Sequence, residues 1–232
     1  MSPKPWLKIA IEENREPLLP IPGDRFALID PHPYAALGAN YAERSPFWLR
    51  ASVLGRLLRA QAQLTLLKPG YRLQIFDAYR PLSVQQFMVD YTRQQLLADQ
   101  GLTEEDVDPS TLGVVNEQVY TFWAVPNEDP KQPPPHSTGA AVDLTIVDAS
   151  SQLLDMGSPI DEPSDRSYPD YFLGRSPVAH QNRDLLNQVM TAAGFVRHPN
   201  EWWHFSFGDQ LWAWRVQVPA AMFGRYALLD LA

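Results

Sequence analysis

Apolar residues recur at three- and four-residue spacing between positions 45 and 67. There Leu49, Val53, Leu54, Leu57, Leu58 and Leu64 line one face, and the period predicts a helix. Ser45 is placed to cap it, Pro46 suits its first turn, and Lys68-Pro69-Gly70 stops it. A short strand is predicted over 71–76, then a second helix over 83–97 with Val84, Phe87, Met88 and Tyr91 facing inward. Val142, Leu144 and Ile146 alternate with Asp143 and Thr145, which predicts a strand over 141–147. Ser176-Pro177 opens a third helix carrying Leu185, Leu186, Val189 and Met190, and Gly194 closes it. The aromatic run 201–207 reads as a strand by composition. Residues 129–135 are expected as extended, polyproline-like chain, because each proline restrains itself and its predecessor. The polar, proline-rich stretch 157–175 is expected as a long connection of the kind that covers a site. Together these elements predict a single α+β domain over residues 1–232, with no internal repeat.

Composition narrows the function classes. At 45% hydrophobic and 20% charged, the 232-residue chain has the make-up of an ordinary globular protein. Its net charge of −8, without Lys/Arg runs, argues against nucleic-acid or anionic-membrane partners, which need a positive surface. The absence of cysteine excludes a disulfide scaffold, a thiolate nucleophile and a Cys-ligated zinc, and fits a reducing compartment. No early stretch is apolar enough for a signal peptide, and no window approaches a membrane span, so a cytoplasmic location is expected. The 22 prolines, well above the usual share of about 5%, point to many rigid loops.

Two short segments hold three plausible metal ligands: His136 and Asp143 in His-Ser-Thr-Gly-Ala-Ala-Val-Asp, and His204 in Glu201-Trp-Trp-His204. Two imidazoles and one carboxylate suit a zinc with an open fourth position, which can lower the pKa of a bound water toward 7. On one regular strand His136 and Asp143 would face opposite sides, so Gly139 between them is expected to supply a bend. Glu201 and His204 also have odd spacing, which places Glu201 at an irregular strand entrance after the Pro199-Asn200 turn. There Glu201 could act as the general base, taking a proton from water and passing it to a leaving amine. Arg80, fixed between Tyr79 and Pro81 at a strand end, is the candidate for stabilising a developing oxyanion.

These residues carry a resemblance. His136-Ser-Thr-Gly-Ala-Ala-Val-Asp143 resembles the His-x-x-Gly-x-Ala-x-Asp zinc motif of the D-Ala-D-Ala metallopeptidases, and Glu201-Trp-Trp-His204-Phe205 resembles their dipeptidase branch in particular. Asp77-Ala78-Tyr79-Arg80-Pro81 is similar to the family's catalytic-arginine segment, and Met156-Gly157-Ser158-Pro159-Ile160-Asp161 to a segment whose last Asp binds the substrate ammonium. The four motifs fall in order between about residues 40 and 214. The resemblance implies one zinc per chain on His136, Asp143 and His204, Glu201 as base, Arg80 as transition-state stabiliser and Asp161 as ammonium receptor. It implies a hedgehog/DD-peptidase-like fold, a mainly antiparallel sheet packed against helices, and hydrolysis of the small dipeptide D-Ala-D-Ala. Two positions depart from the family pattern. Ile160 replaces an aromatic residue, and Pro134 stands where serine is common, removing any contact made by that hydroxyl.

Blander readings apply to several residues taken singly. His32, in Asp30-Pro31-His32-Pro33, reads as a surface turn, and His180 as a first-turn helix residue. His198, six before His204, could replace it as a ligand, but Pro199 argues for a turn. Trp202 and Trp203 read as core, and Asp161 alone as a solvated loop charge. Three other functions compete: a carboxypeptidase or endopeptidase on peptidoglycan stems, a non-haem iron oxygenase using the same ligand types, and a binding module with a structural zinc. The lack of an export signal counts against the first. Glu201 and Arg80, which iron chemistry or a structural metal would not require, count against the others.

Overall fold

The computed structural model describes residues 4–42 and 45–226. In chain order the elements are β1 (Ala10–Ile11), β2 (Leu18–Pro20), β3 (Ala27–Leu28), α1 (Pro33–Ala36), β4 (Trp48–Arg50), α2 (Ala51–Leu67), β5 (Arg72–Asp77), α3 (Leu82–Ala98) and α4 (Pro109–Phe122). There follow β6 (Ala141–Val147), α5 (Pro177–Ala192), β7 (Val196–Arg197), β8 (His204–Ser206), α6 (Gln210–Val216) and β9 (Ala220–Ala221), with short 3-10 turns at Pro5–Lys8, Pro135–Thr138 and Asp165–Ser167. The main sheet has the order β3-β5-β6-β8-β7 and is antiparallel except for the β3–β5 pair. The α+β expectation with a mainly antiparallel sheet therefore holds. No helix of the described residues is long and apolar enough to cross a membrane.

The strand over 141–147 is where the alternation placed it, and every residue in it is buried. One face, through Val142, Leu144 and Ile146, joins a core built with Val53, Leu57 and Leu64 of α2 and Leu186, Val189 and Met190 of α5. A second apolar cluster holds Val84, Met88 and Val89 of α3 with Val115 and Val119 of α4, Tyr34 and Trp123.

Three expectations need correction, and one helix went unread. The helix over 45–67 begins only at Ala51, and Ser45 does not cap it, because Trp48–Arg50 pairs as a strand with the distant Leu18–Pro20. Helix α4 was not anticipated, although Asp108 caps it through Ser110 and Thr111 N–H groups and Pro109 starts it. Residues 129–135 are not one extended run: Gln132 N–H donates to Asp129 O in a turn, and a 3-10 turn begins at Pro135. The strand over 201–207 shrinks to His204–Ser206, because Trp202 N–H turns away to Ser167 O and both indoles bury.

Candidate active site

The register of the central strands assembles the site. Asp77 of β5 lies opposite Asp143 of β6, and Asp143 lies opposite His204 of β8. A bulge between Ile75 and Asp77 sets Phe76 and Asp77 against the single Asp143, which re-aims the end of β5. Gly139 adopts φ +70° after the 3-10 turn that carries His136, and a Cβ there would meet Leu18 Cδ2 at 2.3 Å. The predicted bend is thus made by the one residue type that fits it. Arg50 secures this loop, its backbone N–H donating to Gly139 O and its Nε to Thr138 O.

Three ligand atoms converge there. His136 Nε2 is 3.1 Å from Asp143 Oδ2 and 3.2 Å from His204 Nδ1, and His204 Nδ1 is 3.0 Å from Asp143 Oδ1. Ligands about 2.0–2.1 Å from one tetrahedral centre lie roughly 3.3 Å apart, so the triangle has the size of a zinc site. His136 Nδ1–H donates to Ala78 O at 2.7 Å, which leaves the neutral ring's Nε2 lone pair for a metal. His204 Nε2 is 3.3 Å from Ser206 Oγ, a contact that leaves Nδ1 facing the centre. Asp143 Oδ1 is buried without a hydrogen-bond partner. Burial disfavours the Asp143 carboxylate, but His136 and His204 outweigh it and hold its pKa far down. Three such groups within 4.8 Å of one another, all buried, could hold a metal ion.

Around this triangle stand the other expected residues. Glu201 lies in the irregular entrance to β8, its Oε2 3.7 Å from His204 Nδ1. Burial pushes its pKa up to about 7, Asp143 adding to the rise and His204 opposing it. Arg80 is buried, with Nε donating to Asp77 Oδ2 at 2.8 Å, Nη1 to Gln85 Oε1 at 2.9 Å and Nη2 to Tyr34 Oη at 3.1 Å. The same Nη2 reaches to 3.5 Å from Asp143 Oδ2, so the guanidinium is fixed at the edge of the ligand triangle. Asp161, in the 157–175 connection, accepts from Tyr34 Oη at 2.7 Å. Burial and then repulsion from Asp143 raise its pKa to about 7, against the pull of Arg80. All six predicted site residues line one cavity of about 300 Å³.

Sequence reasoning missed several neighbours. His32 is no surface turn: it is buried, 3.2 Å from Asp77 Oδ1, in edge contact with Tyr34 and Tyr41. His198 does sit at a turn, yet its Nδ1 is 3.4 Å from Glu201 Oε1 and its ring lies edge-on to His204. Burial, with His204 and Lys4 nearby, pushes its pKa well below the usual value, so it faces Glu201 as a neutral ring. Tyr34 and Asp77 position Arg80 and Asp161, and only Asp77 lay inside a motif that could have flagged it. His180 fulfils its bland reading, pairing with Asp184 one turn along α5.

The pKa of Glu201 predicts a stability effect in the metal-free protein. Its folded value of about 7 exceeds the ordinary 4.5, so folding disfavours the charged form and the cost grows as pH rises through that window. Glu201→Gln therefore raises the metal-free melting temperature near pH 8 and leaves it almost unchanged near pH 4.5. Thermal melts of the two metal-free proteins across this range check it, and a gap that fails to widen with pH contradicts the burial argument.

Two imidazoles and a carboxylate around one point, beside a buried carboxylate and a fixed arginine, form a candidate metal site of the kind hydrolases use. A model of the D-Ala-D-Ala dipeptidase family matches residues 28–222. The chain is 48% identical to a D-alanyl-D-alanine dipeptidase of Synechocystis sp. over 91% of this chain and 90% of that one. A D-alanyl-D-alanine dipeptidase of Enterococcus faecalis is 28% identical over 65% of this chain and 69% of its own. Among solved structures, the vancomycin resistance D,D-pentapeptidase VanY in complex with Zn(II) aligns with TM-score 0.43 and 17% identity over 91% of this chain and 93% of that one. The chain belongs to the D-Ala-D-Ala dipeptidase family and is a metallopeptidase.

Proposed function

We propose that this protein hydrolyses the free dipeptide D-Ala-D-Ala to two molecules of D-alanine, with one zinc held by His136, Asp143 and His204. The observation that carries the reading is the ligand triangle with 3.0–3.2 Å edges, with Glu201 against its His204 corner, Arg80 against its Asp143 corner and Asp161 in the same cavity. When bound, zinc supplies Lewis acidity and lowers the pKa of water to near neutrality. Glu201 takes the proton of the attacking water on its carboxylate and delivers it to the leaving nitrogen, a task suited to a pKa of about 7. Arg80 stabilises the carbonyl oxygen as it becomes anionic through its fixed positive charge at the edge of the ligand triangle, its geometry already set by Asp77, Gln85 and Tyr34. Asp161, aligned by Tyr34, receives the substrate's α-ammonium, and the arriving cation favours its ionised form.

Size and charge support a dipeptide over longer stems. A cavity of about 300 Å³ is at the small end for ligand sites, which run from about 300 to 1,000 Å³. An acylated N-terminus would set a neutral amide against the Asp161 carboxylate. The single-domain reading of residues 1–232 accompanies this proposal, and the match over 28–222 supports it. The test compares D-alanine release from D-Ala-D-Ala and from N-acetyl-D-Ala-D-Ala by the purified protein. Release from the free dipeptide alone is expected. Preference for the acetylated substrate would move the function to a carboxypeptidase, and iron in place of zinc on metal analysis would reopen the oxygenase reading.

A further inference from the structure

We propose that Lys4 is the receptor for the C-terminal carboxylate of the dipeptide, reading the end of the substrate opposite to Asp161. The inference rests on the dipeptidase reading above. Among the described residues lining the cavity, Lys4 and Arg80 are the two Lys/Arg side chains. Arg80 is already engaged by Asp77, Gln85 and Tyr34, whereas the Lys4 ammonium faces the cavity with Glu201 as the carboxylate that acts on it. Pro133, Pro134 and Pro135 make another stretch of wall, and prolines offer no N–H to a carboxylate.

The position suits the chemistry. Lys4 leads into the 3-10 turn Pro5–Lys8, where Trp6 packs edge-on against His198 at 5.9 Å and, tilted, against Trp214 at 5.6 Å. Gln210 Nε2 donates to Ile9 O at 2.6 Å and ties the same segment down. The N-terminal segment is therefore a fixed wall on the His198–Glu201 flank. The leaving nitrogen belongs to the C-terminal residue and takes its proton from Glu201, so that residue and its carboxylate must lie on this flank. Asp161 stands on the other flank with Tyr34 and Arg80. A zwitterionic dipeptide thus spans from Asp161 to Lys4 with its scissile bond at the metal.

The experiment measures kcat/KM for D-Ala-D-Ala and for D-Ala-D-alaninamide, which lacks the carboxylate, in the zinc-loaded wild type, Lys4→Met and Lys4→Arg. Wild type should favour the free acid by about 10- to 100-fold, the range of one charge-assisted hydrogen bond. Lys4→Met should lose that preference, with KM for the acid rising relative to KM for the amide and zinc content unchanged, any change in kcat through Glu201 being common to both substrates, and Lys4→Arg should keep most of the preference. Equal wild-type turnover of acid and amide overturns the proposal without any variant, and so does a preference that survives in Lys4→Met. If the wild type hydrolyses neither substrate, the dipeptidase reading fails first and this one with it.

Discussion

Replacing Glu201 with glutamine should lower kcat for D-Ala-D-Ala on the order of a thousandfold while KM, zinc content and fold stay close to wild type. General acid–base groups contribute about 10²- to 10⁴-fold, and here one carboxylate serves both proton transfers. Glutamine keeps the shape at a buried position and removes only the basic oxygen, so a structural role would not produce this pattern. The acid limb of the wild-type pH profile should vanish with the side chain, because the carboxylate that must be ionised is gone. Steady-state kinetics with metal analysis on one preparation decide it. A variant that loses zinc or folding along with turnover would show that Glu201 holds the site together and is not its base.

Removing the metal should have the larger effect still. Dialysis against a chelator should bring D-alanine release to background and lower the melting temperature, since the folded state binds the cation and the unfolded chain does not. Asp143, His136 and His204 stand within 3.0–3.2 Å of one another in a buried place, so the cation is bound by groups the fold already holds together. Zinc add-back should restore both properties. In Asp143→Ala zinc should restore neither, because the remaining imidazoles make an incomplete and neutral ligand set. Full activity after verified removal of metal would refute the assignment of His136, Asp143 and His204 as ligands of the working centre.

Much of this site was legible in the chain. His136, Asp143, Glu201 and His204 announced themselves by residue type and spacing, and the odd intervals demanded a bend and an irregular strand entrance, which Gly139 and the 198–203 turn provide. Local signals also worked where they acted alone. Ser176-Pro177 starts α5, and the same kind of signal, Asp108-Pro109, starts α4 and was there to be read. Ser45-Pro46 failed for a physical reason: backbone pairing of Trp48–Arg50 with Leu18–Pro20 outweighs a capping preference worth about 1 kcal/mol.

The second ring of the site was not legible. His32 and Tyr34 lie more than a hundred residues before Asp161, and only packing brings them to Asp77, Arg80 and Asp161. Lys4 and Trp6 lie in no motif, and only tertiary packing makes their segment a wall of the cavity. The sequence by itself determined the candidate ligand types, the candidate base and arginine, and the strand that carries Asp143, because these depend on chemistry and local periodicity. The tertiary structure alone decided which neutral groups orient them and how high burial lifts Glu201 and Asp161, since desolvation and cross-strand register arise only once distant segments share one interior.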